Sequence, residues 1–259
     1  AQPFHSNLTP REVTSLYMVE IYATTGDVGT AAQIAADYIA LAANLGDAET
    51  MATAQMLEAA AHIFAGQADA VQGWLETFNI DKVSPFRPYA GWVWGCGILA
   101  LGDPAASAKA VGGIAALAER CKSIRFMSWA AKLLALLARI QGARGKPAEG
   151  VAALCEALRL NDPPGDLRSL LDPDPMLDTL LQRALQDHHA DAKLCNYLQR
   201  IQDMRRARLS AGIAPLIISD TFLTESSSNP AYQLREPLTE RELEILRLLD
   251  ARLSNKEIS

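Results

Sequence analysis

Leu99-Ala-Leu-Gly-Asp-Pro-Ala-Ala-Ser-Ala108 joins the end of one helix to the start of another. An apolar run stops at Gly102, a residue that can take the left-handed backbone closing a helix, and alanines then open the next helix so that two backbones pack closely. The phrase recurs. It stands at A-T-T-G-D-V-G-T-A-A around Gly26, I-F-A-G-Q-A-D-A-V around Gly66 and A-R-G-K-P-A-E-G-V around Gly145, in steps of 40, 36 and 43 residues. From residue 11 to about 210 the pattern is helical almost throughout, with abundant Ala and Leu and no two-residue alternation. A period near 40 with two helices per unit predicts an all-α chain, a helical-repeat solenoid of antiparallel helix pairs. Uneven spacing keeps an irregular helical bundle as the alternative.

These units resemble tetratricopeptide repeats, although they are longer than that family's repeat and mostly lack its aromatic positions. The far end of the chain reads differently. In L-T-E-R-E-L-E-I-L-R-L-L-D-A-R-L-S-N-K-E-I-S, residues 238–259, Thr239 with Glu242 and Ser254 with Glu257 form two capping boxes. Leu238 with Leu243, and Leu253 with Ile258, supply the matching hydrophobic staples. Ile245, Leu246 and Leu249 give the first of these helices one apolar face.

The string resembles the opening half of the LuxR-type helix-turn-helix domain, with Arg252 where that family usually has Gly in the turn. Two further helices follow in the family, one of them the reader of the major groove, so the resemblance implies a fragment of a longer protein. At the helix that would abut phosphates, Ser254, Asn255 and Lys256 are the implied DNA-backbone contacts. Ahead of it, G-D-L-R-S-L-L-D-P-D-P-M-L-D-T-L-L and then Y-L-Q-R-I, from Gly165 to about Arg206, resemble the segment that closes the repeat domain of MalT-like large ATP-binding regulators. The order of repeats, closing segment, linker and helix-turn-helix is also that of the family. The organisation expected is a helical-repeat sensor over 1–210, a linker over 211–236 and an incomplete DNA-binding domain over 237–259. T-E-S-S-S-N-P-A-Y-Q-L-R-E-P, residues 224–237, is polar with two prolines and reads as an exposed tether.

The resemblance implies a cytoplasmic regulator that binds an inducer, assembles into homo-oligomers with ATP and activates transcription with RNA polymerase. This chain has no G-x-x-x-x-G-K-[ST], so no cofactor is expected within it, and ATP belongs to a nucleotide-binding module outside it. DNA binding is expected only through the complete C-terminal domain. A net charge of −6 and a pI near 5.3 agree, since a phosphate-gripping surface needs clustered Lys and Arg. Cys96, Cys121, Cys155 and Cys195 form no C-x-x-C and read as packed, reduced thiols. The longest apolar run, near Gly91 to Leu101, is too short to span a bilayer, so no membrane partner is expected.

An inducer needs a wall. F-R-P-Y-A-G-W-V-W-G-C-G, residues 86–97, is the richest segment: Phe86, Tyr89, Val93 and Cys96 fall at helical spacing as a core stripe. Trp92 and Trp94 lie about 200° apart around a helix, which predicts that at least one leaves that stripe. With Arg125 and Trp129 of R-F-M-S-W opening the next pair, the candidate ligand-binding residues are Arg87, Trp92, Trp94, Arg125 and Trp129. Catalysis is not expected. His188 and His189 diverge by about 100° on a helix, His62 in E-A-A-A-H-I-F reads as a satisfied core or interface residue, and Asp172 and Asp174 sit beside prolines in a turn. Two function classes remain: an inducer-sensing domain of a LuxR-type activator, or a protein-interaction scaffold whose groove takes a regulatory protein or mediates oligomerisation.

Overall fold

A computed structural model of the chain describes residues 10–24, 26–46, 48–160, 175–187 and 191–210. Among them every regular element is helical: α1 Pro10–Thr24, α2 Val28–Leu45, α3 Ala48–Phe64, α4 Gln72–Thr77, α5 Tyr89–Leu101, α6 Pro104–Ser123, α7 Met127–Ala143, α8 Pro147–Leu160, α9 Pro175–Asp187 and α10 Ala192–Ser210. The chain divides into two units, Ala1–Asp220 and Thr221–Ser259, and the second lies outside the described residues. The expectations for the linker, for the helix-turn-helix with Ser254, Asn255 and Lys256, and for His188, His189, Asp172 and Asp174 fall outside them as well.

The helices close where the repeated phrase places them. Gly102 has φ 67° and ψ 12°, and its N–H donates to the Ile98 carbonyl at 3.3 Å. A side chain there would meet the left-handed steric penalty, which glycine escapes. Gly26, Gly66 and Gly145 share the positive φ, at 89°, 75° and 73°. Beyond Gly102, Asp103 accepts from the Ala105 N–H at 2.9 Å and Pro104 takes the first helical position, a start that needs no N–H there. Asp27 opens α2 the same way, accepting from the Thr30 N–H at 3.1 Å and the Thr30 hydroxyl at 2.7 Å. Those two bonds hold its carboxyl below the usual range.

Neighbours in sequence pack on each other: α1 on α2, α2 on α3, α6 on α7 and α7 on α8. Alternate helices also pack in succession, α1 on α3, α3 on α5, α5 on α7 and α7 on α9. The core runs along that succession, from Leu16 and Val19 through Leu57 and Ile63 to Val93, Leu133, Ile140 and Leu177. Arg205, itself 2% exposed, fastens α10 to α9 by donating from Nε and Nη2 to Asp178 Oδ1 at 3.0 and 2.9 Å.

One pair departs from the pattern. After α3 comes a single 3-10 turn, Ala68–Val71, and then an α4 of six residues, against 18 in α2 and 20 in α6. The chain returns along α6 through a second 3-10 turn, Ile80–Lys82. There the Arg120 guanidinium donates to the carbonyls of Ile80 and Val83, both at 3.3 Å. Ile80 lies over two glycines: a Cβ added at Gly113 would meet its Cγ2 at 2.5 Å, and one at Gly91 its Cδ1 at 3.4 Å.

Two expectations for the 86–97 segment are corrected. Phe86 is 47% exposed and precedes the helix, whereas Tyr89, Val93 and Cys96 are buried as the stripe requires. Proline disfavours the α region for the residue before it, and α5 accordingly starts at Tyr89, with Pro88 as its cap and Arg87 outside it. Trp92 and Trp94 take different faces, one against Phe64 and Tyr89 and the other against Phe78, but both are buried, at 5% and 2% exposure, so neither stands on an exposed surface. α5 packs against α3, α6 and α7 and against the turn leading to α4, and its residues from Gly91 to Ile98 are all buried. Glycines make that possible. A Cβ at Gly95 would sit 2.7 Å from Leu136 Cδ2, and one at Gly97 2.6 Å from Leu75 Cδ2 and 2.9 Å from Ile63 Cδ1. A helix apolar all round is an interior helix, and α5 occupies the interior.

Candidate functional site

Two places collect chemistry. The first is internal, where α1, α5 and α7 meet. Tyr89 and Trp92 are three apart on α5, as Trp129 and Lys132 are on α7, so each pair shares a face. The Lys132 ammonium, on a side chain 7% exposed, lies 4.2 Å from the Trp92 ring centroid, 5.1 Å from that of Trp129 and 5.8 Å from that of Tyr89. The rings brace one another: Tyr89 meets Trp92 edge-on at 5.5 Å and Trp129 at 5.2 Å.

The α1 helix closes this box with Glu20. Its Oε2 is 3.9 Å from the Lys132 Nζ and accepts from the Tyr89 hydroxyl at 3.4 Å. A buried ammonium is tolerable when opposite charge and ring faces replace its water, and both do so here. Burial, followed by the Glu20 carboxylate, pushes the Tyr89 phenol well above its usual value. The box therefore already holds a cation, and that cation belongs to the chain.

The second place opens to solvent. A cleft of about 440 Å³ lies between α4 and the first half of α6, with the second half of α5 beneath it. Trp94 is its floor, fixed by an Nε1–H bond to the Leu75 carbonyl at 2.9 Å and by stacking on Phe78 at 5.9 Å between centroids. Leu75 and Ile98 continue the apolar floor, and Asp69, Glu76, Asp103 and Lys109 supply the charge. The helix on one side of the cleft, α4, has only six residues.

The five residues proposed as one groove wall are distributed by the structure. Trp92 and Trp129 belong to the lysine box, and Trp94 floors the cleft. Arg87 pairs with Glu49 of α3. Arg125 is exposed in the turn between α6 and α7 with φ 61°, a left-handed backbone that costs a non-glycine residue roughly 1–2 kcal/mol. Glu20 and Lys132 were missed by sequence reasoning. The available signal was a lone charge inside an apolar run, in M-V-E-I-Y and W-A-A-K-L-L.

Of the remaining polar candidates, His62 and the cysteines lie among the described residues. His62 Nδ1 lies 3.1 Å from Gln67 Oε1, tying the end of α3 to the turn behind it. Cys96, Cys121 and Cys155 are buried free thiols, and burial pushes Cys96 up to about 12. Among the described residues no group of three His, Cys, Asp or Glu is placed to hold a metal ion, and no helix is long and apolar enough to cross a membrane. No family model, curated protein or solved structure matches the chain.

Proposed function

We propose that residues 1–210 form the helical-repeat input domain of a LuxR-type transcription regulator, a tetratricopeptide-like solenoid that receives a signal and controls a helix-turn-helix beginning at residue 237. One observation carries this reading. Alternate helices stack in chain order from α1 to α9, and left-handed glycines close helices at the four places where the sequence phrase recurs. A stacked array of that kind, followed by L-T-E-R-E-L and L-S-N-K-E-I, joins an input surface to a DNA-binding unit.

The test uses a regulator carrying this chain and a complete LuxR-type domain, in DNA-affinity selection from genomic fragments. Recovery of fragments sharing one motif supports the reading, with Lys256→Ala weakening binding evenly across sequences, as loss of a phosphate contact should. Recovery no better than with an unrelated acidic protein overturns it.

A second reading, a protein-interaction scaffold, is favoured by α1. Tyr17, Met18 and Ile21 there are 40%, 38% and 40% exposed, large apolar side chains on one helix. Light scattering on the wild type and on Ile21→Glu tests it. A higher-order species that the substitution dissolves supports self-association, and an unchanged monomer mass in both excludes it.

A further inference from the structure

We propose that the cleft floored by Trp94 binds a small organic cation, a free alkylammonium or guanidinium compound with an apolar stem. Size comes first. About 440 Å³ falls within the range of small-molecule sites, and it is enough for a ligand on the order of ten heavy atoms with its first waters. The floor is apolar and fixed, since the one polar atom of Trp94 is spent on the Leu75 carbonyl and Phe78 covers part of its ring. An aliphatic stem would cover the small apolar area that Leu75, Trp94 and Ile98, at 3%, 2% and 4% exposure, leave open at the base of the cleft, without disturbing any of those bonds.

Charge selects the sign. Asp69 lies in the 3-10 turn before α4, Glu76 near the end of α4 and Asp103 at the start of α6, so carboxylates approach the cleft from three segments. Two of them are already oriented by one oxygen each. Gln72 Nε2 donates to Glu76 Oε1 at 2.8 Å, and the Ala105 N–H donates to Asp103 Oδ1 at 2.9 Å, which leaves Oε2 and Oδ2 to accept from a ligand. Lys109 is the only cation among the lining residues, so the balance stays negative and an anion is repelled. Lys109 stands on the same rim, so its charge opposes that of an incoming cation.

The geometry has a structural origin that favours a ligand over a packing defect. The cleft stands beside the shortest α-helix among the described residues, since α4 stops at Thr77 after six residues whereas α2 runs for 18 and α6 for 20. This inference does not depend on the regulatory reading, because nothing in it requires the chain to touch DNA.

Isothermal titration calorimetry on the full chain tests it, with 4-aminobutylguanidine and n-hexylammonium as probes and hexanoate as the control of opposite charge. Saturable binding of either cation, without binding of hexanoate, is the result expected. Asp69→Asn combined with Glu76→Gln should weaken it at least tenfold, whereas Lys109→Ala should tighten it several-fold. The carboxylates changed are exposed, and circular dichroism verifies that the variants keep their helix content. Equal binding of hexanoate, no saturable binding of either cation, or undiminished binding by the double variant would each overturn the proposal. Failure of the DNA selection would leave this outcome untouched.

Discussion

The Lys132 ammonium lies 4.2 Å above the Trp92 ring and 3.9 Å from the Glu20 carboxylate, so one buried cation links α1, α5 and α7. Removing it leaves Glu20 in the interior without its ion-pair partner and with the Tyr89 hydroxyl at 3.4 Å. Lys132→Met keeps the stem and deletes the charge. We expect it to cost about 3 kcal/mol, near the low end for breaking a buried pair because 3.9 Å is a loose contact. Adding Glu20→Gln should recover most of the loss, since the stranded charge is the main penalty. Urea unfolding of the two single variants and the double variant measures the coupling. Additive losses would show that Glu20 and Lys132 do not sense each other.

Much of the backbone was legible in the sequence, because closing a helix is a local event. Gly26, Gly66, Gly102 and Gly145 each end an apolar run before an Ala-rich start, and each has the left-handed backbone that position needs. Burial around α5 was harder to read. Helical periodicity assumes one wet face, so Trp92 and Trp94 could not both be placed inside by it. Gly91, Gly95 and Gly97 admit neighbours on the remaining faces, but which neighbours arrive is a tertiary fact. The cleft was illegible for the same reason: it depends on where α4 stops relative to α6, and neither sequence segment records the other.

Trp94→Phe separates the indole's polar role from its bulk. The substitution keeps an aromatic ring against Phe78 but leaves the Leu75 carbonyl without its 2.9 Å donor and removes part of a side chain only 2% exposed. An unsatisfied buried carbonyl costs about 1–3 kcal/mol and the lost volume adds to it, so a total of roughly 2–4 kcal/mol is expected. Trp74→Phe, at a half-buried position, should cost about 1 kcal/mol or less. Similar losses at the two positions in chemical denaturation would show that the indole N–H of Trp94 contributes little.

Gly150→Ala tests how closely α7 and α8 pack. Helix propensity favours alanine by about 1 kcal/mol, yet a Cβ at this position would stand 2.9 Å from the Ala138 carbonyl oxygen and 2.9 Å from Leu180 Cδ2. Leu180 can turn aside, but a backbone carbonyl within α7 moves only with its helix. We expect a net loss of about 1–3 kcal/mol. Gly112→Ala on α6, where nothing lies within 4 Å of the added carbon, should instead be neutral or slightly stabilising. Thermal melts of the two variants give opposite signs if the contact is as tight as the structure has it.

Cys96 sets an alkaline limit on stability. Burial raises its thiol from 9.0 to about 12, against the opposing pull of Arg139 and Lys132. The folded state thus holds the proton more tightly than the unfolded state, so the stabilisation is complete below about pH 9 and is lost as pH rises towards 12. At about pH 10.5 the loss from this group amounts to roughly 2 kcal/mol, at about 1.4 kcal/mol per pH unit above the unfolded value. Cys96→Ala removes the titration while leaving a small packing defect, so wild type should be the more stable at pH 8 and the difference should close by about pH 10.5. Urea midpoints at the two pH values measure this directly. A gap that stays constant would mean that the Cys96 thiolate is accommodated in the folded core, contrary to a side chain at 0% exposure in the packed interior.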